Sequence, residues 1–187
     1  MGVTEQKFSR SAAVHEAGHA IVAWSFGLPL GAMRIDAGDS GGETQIGCSD
    51  RLTLAEQIAV RCAGGIAQAI FECPGNEVAT FKDNFEVMKL LEVHGYTEQS
   101  GALAVRCQGC KIAEAILEAN RKKTLALADQ LVECGRIGAC DVLRLIKGRS
   151  PLFRAACEMS FDGLASKTRG RPDQAASASS SSQCRGL

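Results

Sequence analysis

Apolar residues recur at helical spacing from about Thr4 to Phe26, and Gly27-Leu28-Pro29 supplies a stop, so a first helix is expected there. Ala32-Met33-Arg34-Ile35-Asp36 then alternates apolar and polar side chains, a Gly, Asp and Ser cluster from Gly38 to Gly42 marks a turn, and Thr44 to Cys48 alternates again. That pattern predicts a small sheet, read as a β-hairpin. Helical spacing returns from Leu52 to Phe71, although Gly64-Gly65 inside it would cost about 1 kcal/mol each relative to Ala unless close packing requires them. Cys73-Pro74-Gly75-Asn76 breaks the chain, and a third helix is expected from Thr80 to His94, with Thr80 and Asp83 forming a capping box and Gly95 just past its end. Its apolar positions Phe81, Phe85, Met88 and Leu91 read as one face. A long amphipathic helix follows from Ser100 to Cys134, with Leu103, Ile112, Ile116 and Leu131 in its stripe and Gly135 as its stop. A shorter one runs from Asp141 to Lys147. The expected fold is therefore mainly α, with a small β-hairpin or sheet beside the first helix.

From Ser166 the sequence becomes polar and rich in Ser and Ala, which predicts a disordered tail over 166–187 behind a domain over 1–165. The 187 residues are 45% apolar, enough to bury a core without a metal or disulfide staple. Any metal must then be argued from chemistry. The 21 basic side chains balance 21 acidic ones, which removes the electrostatic case for nucleic acid or an anionic membrane as partner. Lys167, Arg169, Arg171 and Arg185 are too few and too interrupted to change that. No apolar run approaches the roughly 18–20 residues that span a bilayer, and the N-terminus lacks a signal-peptide layout, so a cytoplasmic protein is expected. Most of the nine irregularly spaced cysteines, in a reducing compartment, are expected to be free and buried. Cys107-Gln108-Gly109-Cys110 has no second such pair and reads as two helical cysteines, and Trp24 reads as core.

The chemistry concentrates in His15-Glu16-Ala17-Gly18-His19. On a helix, residues four apart lie one turn above each other, so both imidazoles reach a single ion while Glu16 projects beside them. Neutral imidazole suits zinc, and a carboxylate beside the ion can take a proton from water as it attacks a carbonyl. A catalytic zinc site wants a third protein ligand. His94 is the one other histidine and reads as an ordinary residue at a helix C-terminus. Asp83 is a candidate whose competing role is the acidic member of the Thr80 capping box, and spacing leaves the two open.

The stretch from Ala12 to Val22, containing His-Glu-Ala-Gly-His-Ala, resembles the metal-binding helix of the FtsH-type zinc metallopeptidases. Ala63-Gly64-Gly65-Ile66-Ala67-Gln68 is similar to that family's Gly-Gly-Arg-x-Ala-Glu segment, Lys82-Asp83-Asn84-Phe85-Glu86 to its Asn-Asp-Leu ligand segment, and Ala113 to Val132 to its late helix. The resemblance covers roughly Ser9 to Lys147 and implies a zinc (Zn2+) peptidase with His15, His19 and Asp83 as ligands and Glu16 as base. It also implies that a strand pairs with extended polypeptide substrate, either Met33 to Asp36 or Thr44 to Cys48. Gln68 stands where the family has an acid and Ile66 where it has Arg. No G-x-x-x-x-G-K-[ST] phosphate loop occurs in the sequence, so a metalloendopeptidase without its own ATPase is expected, with a separate ATPase or further copies of the chain as partners. The alternative is a catalytically silent or partner-dependent module that keeps zinc for binding or regulation.

Overall fold

The computed structural model describes residues 8–37, 41–75, 77–96 and 99–147. Ser9 decides where the first helix begins: its backbone is extended and its hydroxyl accepts from the Ala12 N–H at 3.4 Å, so α1 runs Arg10–Ser25. Phe8, just before it, forms an isolated β-bridge with Ala37, which corrects the expected helical start near Thr4. Gly27 closes the helix at φ +68, with the Gly27 and Leu28 amides bonded back to Trp24 and Ala23 in a Schellman motif. Ala12 to Gly18 and Ala20 to Ala23 are all buried, so α1 is enclosed on nearly every side rather than amphipathic. Trp24 is half-buried against the core, with Lys123 Nζ 4.2 Å from its ring centroid.

The hairpin forms from β1 (Leu30–Ile35) and β2 (Gly42–Ile46), antiparallel, with Met33 opposite Thr44 and Arg34 opposite Glu43. β2 stops at Ile46, short of Cys48. A capping box of Thr53 and Glu56 starts α2 (Leu54–Ile70), which packs along α1.

The third helix, α3, runs Glu77–Val93, so Thr80 lies inside its first turn and the expected Thr80–Asp83 capping box does not form. Its inward face also differs from the expectation. Val87 and Leu91, four and eight residues beyond Asp83, pack with Ile58 of α2, while Phe81, Phe85 and Met88 are exposed. Turning Asp83 inwards leaves those three apolar side chains on the far side of the helix. Gly95, at φ +76, ends the segment as its position predicts.

Instead of one helix from Ser100 to Cys134 there are two, α4 (Gln99–Ala119) and α5 (Arg121–Cys134). Between them Asn120 leaves helical geometry at φ −118, ψ 22, and its side-chain Nδ2 donates to the Ile116 carbonyl at 2.9 Å. Such a bond competes with helix continuation. The break lets α4 lie on α2 and α5 lie on α1. Leu103 is consequently exposed, whereas Leu117, Leu127 and Leu131 are buried. Past Gly135, β3 (Arg136–Ile137) joins the free side of β1, giving the order β2-β1-β3, and α6 (Ala139–Lys147) follows. Two residues are too few to leave an alternation signal, so this strand is invisible in the sequence pattern.

The fold is thus mainly helical with a small three-stranded antiparallel sheet. Among the described residues no helix is long and apolar enough to cross a membrane. All seven described cysteines are unpaired, but Cys48, Cys107, Cys134 and Cys140 are exposed and Cys62, Cys73 and Cys110 only half-buried, which corrects the expectation of buried thiols. The core is filled by Ala, Val, Leu and Ile instead. The expected tail over 166–187 and the stretch 148–165 lie outside the described residues.

Candidate metal centre

Three elements meet at one point. α1 carries His15 and His19 one turn apart, α3, packed on α2, supplies Asp83, and α2 supplies the Val60 carbonyl and Gln68 beside them. His15 Nε2, His19 Nε2 and Asp83 Oδ2 form a triangle with every side 3.1 Å. Their side chains are 4%, 12% and 21% exposed. Among the described residues these three make up a group able to hold a metal ion, and no fourth ligating atom joins them.

The surrounding hydrogen bonds decide which ring nitrogen faces the triangle. Gln68 Nε2 donates to Ser11 O at 3.2 Å and Ser11 Oγ at 2.9 Å, which leaves Gln68 Oε1 to accept from His15 Nδ1 at 3.3 Å. His19 Nδ1 donates to the Val60 carbonyl at 2.8 Å. Both Nδ1 atoms therefore carry protons, and in the neutral rings both Nε2 lone pairs point at each other and at Asp83. Three electron-rich atoms converging at 3.1 Å form a group that could hold a cation between them. Tetrahedral zinc with ligands at about 2.0–2.1 Å places ligand atoms about 3.3 Å apart, so the donor set fits such an ion with small adjustment.

Without metal, a proton takes that place. Burial works against a charged His19, but the hydrogen bond and charge of Asp83, with the charge of Glu16, raise its pKa from the ordinary 6.5 to about 9. Burial likewise opposes ionisation of Asp83, yet hydrogen bonds from His15 and His19 and their charge lower its pKa to about 2.

Glycine makes the site possible at two places. A Cβ on Gly64 would fall 2.5 Å from His15 Cε1 and Nε2, so the first glycine of the Gly64-Gly65 pair is demanded by the imidazole. Gly18, between the histidines in sequence, lets α1 close on α2: its Cβ would meet the Ala63 carbonyl oxygen at 2.6 Å. The second glycine of the pair has no such role, since a Cβ on Gly65 would make only an ordinary 3.5 Å contact with Thr80.

Beside the triangle a cleft of about 450 Å³ opens, with Glu16 in its floor, Gly42 and Thr44 of β2 on one side and Lys82 and Glu86 of α3 on the other. Glu16 is 5% exposed, and its Oε2 accepts from Thr44 Oγ1 at 2.6 Å. All four residues expected at the site are therefore brought together: His15, His19 and Asp83 in the triangle and Glu16 in the adjoining floor. His94 takes no part; it is exposed at the end of α3, its Nδ1 donating to the Leu90 carbonyl at 2.9 Å. Cys107 and Cys110 sit on α4 and are not among the atoms of the triangle.

Sequence reasoning missed the supports. Gln68 was visible only as a departure from an acidic position, although it follows Gly64 by four residues and so shares the face turned to His15. The Val60 carbonyl and the Thr44 hydroxyl left no signal. No family model matches the chain, and no curated protein matches it.

Proposed function

We propose that the protein is a zinc-dependent metalloendopeptidase that hydrolyses peptide bonds in extended or unfolded polypeptide. One observation carries this reading: three ligating atoms converge beside an open cleft whose floor holds a buried carboxylate, Glu16. A purely structural zinc site closes its fourth position with another side chain, and among the described residues none is there to do so. The motif resemblance around His15-Glu16-Ala17-Gly18-His19 supports the same reading.

Zinc bound by His15, His19 and Asp83 would polarise the scissile carbonyl and make water more acidic. Glu16 accepts the proton of the attacking water and delivers it to the leaving amine nitrogen. Extended substrate has one suitable partner strand beside the cleft. β1 is paired on both sides, whereas β2 is an edge, and Gly42, Thr44 and Ile46 of β2 line the cleft. An added strand on that edge would satisfy backbone groups of both chains. Of the two candidate strands, the reading therefore selects β2. The proposed setting is the cytoplasm, where the seven unpaired thiols would stay reduced. The proposed partners are a separate ATPase or further copies of the chain.

The test is cleavage of a fluorescent unstructured polypeptide by zinc-loaded protein. Wild type should cleave, and Glu16→Gln should lose about 10²–10⁴-fold in kcat while keeping its zinc. Equal silence from both proteins with zinc bound would sink the peptidase reading in favour of a zinc-holding binding or regulatory module.

A further inference from the structure

Glu16 is the one carboxylate among the buried polar residues described, and β2 grips it at two points. Thr44 Oγ1 lies 2.6 Å from Glu16 Oε2 and 3.1 Å from the Glu16 backbone carbonyl oxygen. A hydroxyl has a single proton to give, and the shorter contact is at the distance of a charge-assisted bond to a carboxylate, so the proton goes to Oε2. Gly42 sits two residues earlier in the strand and hence on the same face. A Cβ there would fall 2.7 Å from Glu16 Cγ and 3.0 Å from Oε1, so the strand backbone lies directly against the acid's stem. Among the described residues the remaining oxygen, Oε1, has no hydrogen-bond partner, and no fully buried side-chain oxygen described is left unpaired. Oε1 lies on the side of Gly42, which lines the cleft together with Glu16.

We propose that Thr44 is a positioning residue for Glu16: its hydroxyl anchors Oε2, and Oε1 is the oxygen that takes the proton during hydrolysis. The inference rests on the peptidase reading and deepens it. As the water O–H bond breaks, its proton passes to Oε1 and the oxygen forms its bond to the carbonyl carbon. When the C–N bond breaks, Oε1 returns that proton to the amine nitrogen, and Thr44 keeps its own proton throughout. Because Thr44 belongs to the edge strand, a substrate strand added to β2 would steady the hydroxyl that holds the base.

The experiment compares wild type, Thr44→Val, Thr44→Ser and Glu16→Gln for zinc content, kcat and KM on the same unstructured polypeptide. Thr44→Val preserves shape but removes the donor, and should keep one zinc per chain and near wild-type KM while kcat falls about 10–100-fold. Thr44→Ser keeps the hydroxyl and should recover most of that loss. Wild-type kcat in Thr44→Val would overturn the assignment. Loss of zinc in Thr44→Val, or failure of serine to rescue it, would also overturn it by marking Thr44 as merely structural. Should zinc-loaded wild type be as silent as Glu16→Gln, the peptidase reading itself fails and this inference falls with it, a pattern distinct from an active wild type with an equally active Thr44→Val.

Discussion

His19 and Asp83 share one position for a cation, and whichever occupies it changes how the protein responds to pH. In the metal-free protein the His19 pKa is raised from 6.5 to about 9, so the stability it contributes is complete below about pH 6.5 and is lost as pH rises towards 9. The Asp83 pKa is lowered from 3.8 to about 2, so its contribution is present above about pH 4 and is lost as pH falls through 2. Metal-stripped protein should therefore show a falling Tm between pH 6.5 and 9. Metal-stripped Asp83→Asn should lose that decline, because the group that raises His19 is gone. A Tm independent of pH across this window in stripped wild type would contradict the shared-proton account. Zinc displaces the proton, so its apparent affinity should rise over the same range.

Between elements, the seam that matters joins α1 to α2, and it is built from absences of side chain. Gly18 admits the Ala63 carbonyl and Gly64 admits the His15 ring. Gly64→Ala would force a methyl group to within 2.5 Å of that ring, so the ring or the helix must shift. The expected outcome is a loss of about 1–3 kcal/mol in urea unfolding together with weakened zinc binding. Gly65→Ala serves as the control, since its Cβ meets only Thr80 at 3.5 Å; removing a helix-interior glycine there should be neutral or mildly stabilising. Equal effects at the two positions would show that the seam is not what holds His15. The same contrast explains why the apparently costly glycine pair is only half required by the site.

Across the whole molecule, α1 lies at the centre and is held by the main core, while α3 packs on α2 through a small cluster of Ile58, Val87 and Leu91. A metal ion bound by His15, His19 and Asp83 would be a cross-link between these two unequally anchored helices. Zinc at 100 times its Kd should add about 2.7 kcal/mol of stability. Chelation should accordingly lower Tm and raise amide hydrogen exchange chiefly in Glu77–Val93, leaving Arg10–Ser25 protected. Uniform exchange in both helices before and after chelation would contradict this picture. How the chain reaches this state divides between sequence and tertiary structure. Local pattern was enough for the helical class, the β1–β2 hairpin, the glycine stops at Gly27, Gly95 and Gly135, and the placing of His15 and His19 on one helix face, because each depends on residues within a turn or two of one another. Packing alone decided that Asn120 divides a periodic segment, that β3 makes β1 central and β2 an edge, and that Phe81, Phe85 and Met88 face outwards. It also chose between the two roles open to Asp83, since α3 begins at Glu77 and frees that carboxylate for the histidines 64 and 68 residues away. Those outcomes rest on contacts between segments distant in sequence, whose burial outweighs local preference and leaves no periodic trace in the chain.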